Sequence, residues 1–60
     1  LTENFNYVIY NSLGLECKKG LLYYNQSKHQ INIDNLSKGI YFIAIYSKSK
    51  LVSSVKFILN

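Results

Sequence analysis

Short runs of apolar and aromatic residues, separated by polar turns, divide the chain into strand-like segments. β-branched and aromatic side chains dominate these runs, and such residues favour strands over helices. Turn residues recur about every ten positions, a spacing typical of small antiparallel sandwiches and barrels. We therefore predict an all-β fold of five or six short strands and no helix, over residues 5–10, 15–18, 21–24, 30–34, 39–47 and 51–59.

The run at residues 39–47 is the strongest predicted strand, and the rest of the chain is organised around it. Because side chains alternate across a strand, one face would carry Tyr41, Ile43 and Ile45. The other face, residues 40, 42, 44 and 46, is equally apolar. We expect the first face to pack in the core, with Leu36 dropping in from the preceding turn. The second face is either a tolerated apolar surface or an interaction face.

Length and composition indicate one small folded domain covering residues 1–60. Hydrophobic residues make up 48% of the chain, and a segment of this composition is not expected to be disordered. A domain of this size buries only about 60% of its unfolded surface, so its stability should be marginal. The chain begins at Leu1 and has no Met, so we expect it to be a piece of a longer protein. No run approaches the roughly 20 apolar residues of a membrane helix, and we predict no direct membrane insertion.

The net charge of +4 comes from lysines, six of which fall in or beside predicted turns, with Lys56 in the last predicted strand. A nucleic-acid groove usually clusters its positive charge and uses Arg, which this chain lacks. We therefore expect a solvated surface and no nucleic-acid partner, although stacking of bases on the tyrosines remains a weaker alternative.

The sequence contains no arrangement of residues that predicts catalysis. The three acids lie on separate segments, and Cys17 with His29 is too few ligands for a closed zinc site. We expect Cys17 to be a small buried hydrophobic residue and Asp34 to cap a turn. The prediction is a non-enzymatic β module without metal or cofactor.

Three segments resemble one known family. Residues 7–20, with Tyr7-Val8-Ile9-Tyr10-Asn11 followed by Gly14, Glu16 and Gly20, are similar to its IYN-x-x-G-x-E-V-x-x-G segment. The string Ile33-Asp34-Asn35-Leu36-Ser37-Lys38-Gly39-Ile40-Tyr41 resembles its central signature, and Val55-Lys56-Phe57-Ile58 its closing strand. The family is the type IX secretion C-terminal sorting domain, type A, also called the Por secretion tail. Departures are a missing Pro-Asn-Pro opening with one or two strands, Cys17 in place of Val, and Ala44 in place of a polar residue.

The resemblance implies an Ig-like β-sandwich of five to seven strands that serves as an address label. The expected partners are the type IX translocon, a sortase-like peptidase and an upstream cargo domain. The expected destination is the cell surface or the medium, by way of the periplasm and outer membrane. The signature residues would be Gly14, Gly20, Asp34, Leu36, Gly39 and Tyr41, and the last hairpin would offer a recognition surface of Lys48, Lys50, Lys56, Phe57 and Asn60.

An Ig-like adhesion module of a larger extracellular protein is the alternative interpretation. Its parent gene would continue well past Asn60, whereas a sorting domain would end its parent chain.

Overall fold

A computed structural model describes residues 4–23 and 30–60, and there the chain forms one antiparallel sheet without a helix. Its four strands are β1 (Phe5–Asn11), β2 (Glu16–Leu22), β3 (Gly39–Ser47) and β4 (Lys50–Leu59). Their order across the sheet is β2-β1-β3-β4. The all-β prediction is confirmed, and β1, β3 and β4 lie within one or two residues of the predicted runs.

The turn between β1 and β2 is built by Asn11 and Gly14. The Gly14 N–H donates to the Asn11 carbonyl over 2.9 Å. The Asn11 side-chain oxygen accepts from the N–H groups of Leu13 and Leu15 at 2.9 and 3.0 Å. Gly14 has a φ of 83°. Residues with a Cβ adopt this conformation only at a steric cost. The predicted turn at this position is confirmed.

A two-residue turn joins β3 to β4. Lys48 and Ser49 both have positive φ, at 51° and 68°. Such turns match the right-handed twist of the flanking strands, but they usually contain Gly or Asn. Lys50, predicted in the loop, instead starts β4 and pairs with Ser47.

Two strand predictions are wrong. Residues 15–18 and 21–24 were expected to be separate strands, yet Lys19 and Gly20 continue a single β2. Residues 30–34 form no strand, and the Leu36 N–H closes a turn on the Ile33 carbonyl at 3.0 Å. The expected polar loop at residues 25–29, including His29, lies outside the described residues.

Cys17 is exposed, which corrects the prediction that it is buried, and Leu15 is also exposed, at 61%. The reason is the register of β2. Gly20 pairs with Tyr7 and Leu22 with Phe5, so the even-numbered residues from 18 to 22 share the core face. A bulge opposite Tyr10 leaves Cys17 unpaired in the ladder, and Leu15 lies just before the strand.

The core lies on one face of the sheet, which we call the inner face. Buried side chains from three strands form its centre: Tyr7, Ile9, Leu22 and Tyr41. Residues 30–38, which we call the covering segment, lie against this face, where Ile31, Ile33 and Leu36 pack on the core. The predicted inner face of β3 and the inward position of Leu36 are confirmed. The described residues contain no second sheet, so the Ig-like sandwich of five to seven strands stays a prediction.

Candidate functional site

The signature residues 34–41 form one structural unit with the inner face. The hydroxyl of the buried Tyr41 donates to the Ser37 carbonyl over 2.6 Å, which ties the covering segment to β3. The Tyr41 ring stacks on Phe57 of β4, with centroids 5.6 Å apart and 21° between planes. Leu36 packs against the same cluster. One side chain therefore joins the covering segment and the last two strands.

Gly39 and Asp34 complete this unit. Gly39 has φ +152°, which L side chains rarely adopt, and the place of its absent Cβ lies 3.9 Å from the Tyr41 ring. The Asp34 N–H donates to the Asn32 side chain at 2.8 Å, so Asn32 supplies the cap at this turn. Of the six predicted signature residues, Asp34, Leu36, Gly39 and Tyr41 share this unit. Gly14 lies in the β1–β2 turn and Gly20 in β2.

Gly20 makes room for a core tyrosine. A Cβ at Gly20 would lie 2.7 Å from Cε2 of Tyr7, its partner on β1, and Tyr7 is buried. The glycine therefore allows the ring to lie across β2. From the sequence we predicted separate strands at residues 15–18 and 21–24, with Gly20 between them. The signal for its true role is an aromatic residue placed opposite a strand glycine, where close approach needs the missing side chain.

The five residues predicted as a recognition surface are spread along the last hairpin. Lys48 is at the turn, Lys50 is exposed at the start of β4, and Asn60 follows its end. Since a strand of this length spans about 33 Å, the turn and Asn60 are far apart. Lys56 is exposed opposite Phe42, whereas Phe57 is half-buried against Tyr41 on the inner face. The structure thus does not bring these five together.

The opposite side of the sheet, which we call the outer face, is largely apolar. Of its described residues, only Ala44 is buried. The hydroxyls of Tyr10 and Tyr46 lie 3.3 Å apart, and the residues at these positions flank the paired Val8 and Ala44. Their hydrogen bond, with desolvation and the nearby charge of Glu16, raises the pKa of Tyr10 above its ordinary value. The two rings thus close over the middle of this face.

At the end of the outer face nearest Gly39, three apolar side chains are open to solvent. Ile40, Phe42 and Ile58 are 41%, 37% and 57% exposed. Ile40 lies directly opposite Ile58, and Phe42 is the next outer-face residue along β3. We call these three residues the outer patch. The second apolar face predicted from sequence therefore exists, and part of it is uncovered in the described structure.

Residues 4–23 and 30–60 contain no group of three or more potential metal ligands.

The ion pair between Glu16 and Lys19, at 3.9 Å, is exposed. Exposed pairs of this kind contribute little to stability. An open groove of about 460 Å³ lies between β1 and β2 and is lined by residues 6–8 and 19–21. Within residues 4–23 and 30–60, no helix has the length and hydrophobicity to cross a membrane.

Comparison with protein families gives a match over the whole chain. Residues 1–60 match the model of the secretion system C-terminal sorting domain, the Por secretion tail. The chain belongs to this family. No curated protein and no solved structure matched it.

Membership confirms the resemblance seen in the signature segments. The family implies a C-terminal secretion sorting signal of the type IX system, with a cargo upstream and export to the surface or medium. Tyr41, Leu36 and Gly39 of the sorting domain build the contact between the covering segment and the sheet.

Proposed function

We propose that the type IX translocon recognises the folded sorting domain and carries the upstream cargo across the outer membrane. A sortase-like peptidase then removes the domain, and the cargo is released or joined to the cell surface. The family match over residues 1–60 is the observation that supports this proposal most strongly. The domain acts by being recognised and catalyses nothing itself.

The physical character of the domain agrees with this role. A buried cluster on one face gives a defined shape from few residues, and that shape can be recognised. The net charge is +4, which keeps the module soluble and biases it toward partners with acidic surfaces. We expect the recognised surface to involve part of the last hairpin, residues 48–60, with the Gly39 turn nearby.

Export of a reporter tests the proposal. The domain, with its native upstream sequence, is fused to a reporter in a host that has the type IX system. We expect the reporter outside the cells, and we expect deletion of residues 50–60 to leave it in the periplasm. The same fusion in a host without the translocon is the control. Export of the truncated fusion would refute the proposal.

The mass of the exported reporter tests removal by the peptidase. The sorting domain accounts for 7.0 kDa, so the exported reporter should be lighter than the full-length fusion by that mass or more. A host without the peptidase should retain the full-length fusion. A full-length exported reporter in the complete host would contradict the removal step.

A further inference from the structure

The outer patch is an exposed apolar surface at one end of the sheet. Ile40 and Ile58 are direct cross-strand partners, and Phe42 is a diagonal neighbour of Ile58. Side chains in such positions lie about 5–8 Å apart and form one continuous surface. Contiguous apolar surface of this kind on a small domain indicates an interaction site.

The charges beside the patch indicate the chemistry of the partner. Lys56 lies on the outer face directly opposite Phe42. Glu16 stands in the same cross-strand row, three strands away. At the usual spacing of neighbouring strands this separation is about 14 Å. The other acid in the described residues, Asp34, belongs to the covering segment on the inner side. A partner that covers the patch therefore gains by placing a carboxylate next to Lys56.

A second copy of the chain is a poor occupant. Each copy has a net charge of +4, so two copies repel each other. Like charges across an interface oppose association. The patch consists of only three exposed side chains, which is small for a stable dimer.

We propose that the outer patch is the docking surface for a translocon component that has an apolar surface bordered by a carboxylate. This inference rests on the proposed function and makes it more specific. It places the apolar contact on Ile40, Phe42 and Ile58, and the charged contact on Lys56. Lys50, on β4 but paired with Ser47 and thus on the other face, takes no part.

A matched pair of threonine variants in the full-length parent protein tests the apolar contact. Ile58 and Val55 are on the same strand, 57% and 56% exposed, and face opposite sides of the sheet. Thr keeps the β-branched shape and removes apolar surface. Loss of a central apolar anchor typically weakens binding about tenfold or more. We expect Ile58→Thr to lower export about tenfold and Val55→Thr to change it less than about twofold. Equal export of the two variants would overturn the inference.

A second pair tests the charged contact. Lys56→Glu should slow export in the native host, because the new carboxylate repels that of the partner. Lys50→Glu makes the same charge change on the same strand and should have little effect. An equal loss for both would mean that export responds to net charge only, and the assignment to Lys56 would fail.

Two measurements on the purified parent protein exclude other occupants. Ile58→Thr and Val55→Thr should melt within about 2 °C of each other, because both side chains are exposed. A melting temperature that is much lower for Ile58→Thr than for Val55→Thr would show that the parent's own chain covers the patch. Sedimentation should give a monomer. A dimer that Ile58→Thr dissociates would assign the patch to a second copy, and either result overturns the inference.

Truncation separates this inference from the proposed function. If deletion of residues 50–60 blocks export while Ile58→Thr is exported normally, only the docking surface is wrong. If the truncated protein is exported, the sorting function and the docking surface both fail.

Discussion

Tyr41 combines three interactions at a single residue. Its ring is buried, stacks on Phe57, and its hydroxyl bonds the Ser37 carbonyl. The sequence predicted its inward face from simple alternation along the strand. It did not predict the bond to Ser37, because that contact depends on how the covering segment turns.

The hydrogen bond of Tyr41 should contribute measurably to stability. Tyr41→Phe keeps the ring and removes the donor of this part-buried 2.6 Å hydrogen bond, which should lower the free energy of unfolding by about 1 kcal/mol. Tyr10→Phe is the matched control, because its partner, the Tyr46 hydroxyl, lies on the outer face and can turn to water. Urea unfolding followed by circular dichroism should show that Tyr41→Phe lowers the free energy of unfolding more than Tyr10→Phe does. Equal losses would mean that the Ser37 bond contributes nothing specific.

At the scale of elements, strand prediction succeeded where alternation and strong turns coincided. The strand at residues 39–47 is bounded by Gly39 and by the Lys48–Ser49 turn, and both bounds are confirmed. The prediction failed at Gly20, because a glycine that breaks a strand cannot be told from one that accommodates Tyr7 without the pairing register. It failed again at residues 30–34, because Ile31 and Ile33 can face a core from a loop as well as from a strand.

The β3–β4 hairpin contains a backbone strain that one substitution should relieve. Ser49 has a φ of 68°, and this region costs a non-glycine residue about 1 kcal/mol or more. Ser49→Gly should therefore raise the free energy of unfolding by about 0.5–1 kcal/mol. Ser54→Gly is the same change within β4, where φ is not positive, and it should lower the free energy of unfolding by a similar amount. Thermal melting of both variants measures the two effects. A lower melting temperature for Ser49→Gly than for the unaltered domain would contradict this account of the turn.

At the scale of the whole molecule, the described residues have the core on one face of the sheet and the outer patch exposed on the other. The sequence predicted Tyr41, Ile43 and Ile45 on the core face of β3, and it left open whether the other apolar face would be covered. That choice depends on which side the covering segment takes, and the side is fixed by several contacts at once, including Leu36 on the core and Ser37 on Tyr41. Tertiary packing of this kind leaves no local pattern in the sequence. The outer patch could therefore be suspected from the sequence but not located.

This division predicts unequal costs for similar truncations on the two faces. Leu36 is half-buried against the core, and Leu36→Ala should cost about 2 kcal/mol. The Ile40 side chain is 41% exposed. Ile40→Ala should therefore cost less than about 1 kcal/mol. Because so small a domain has little stability in reserve, Leu36→Ala should leave a sizeable fraction unfolded at about 37 °C, while Ile40→Ala stays folded. Hydrogen exchange of the β3 amides measures the unfolded fraction of each variant. If Ile40→Ala were the more damaging change, the outer face would be part of the folded core, and it could not be the surface by which the sorting domain is recognised.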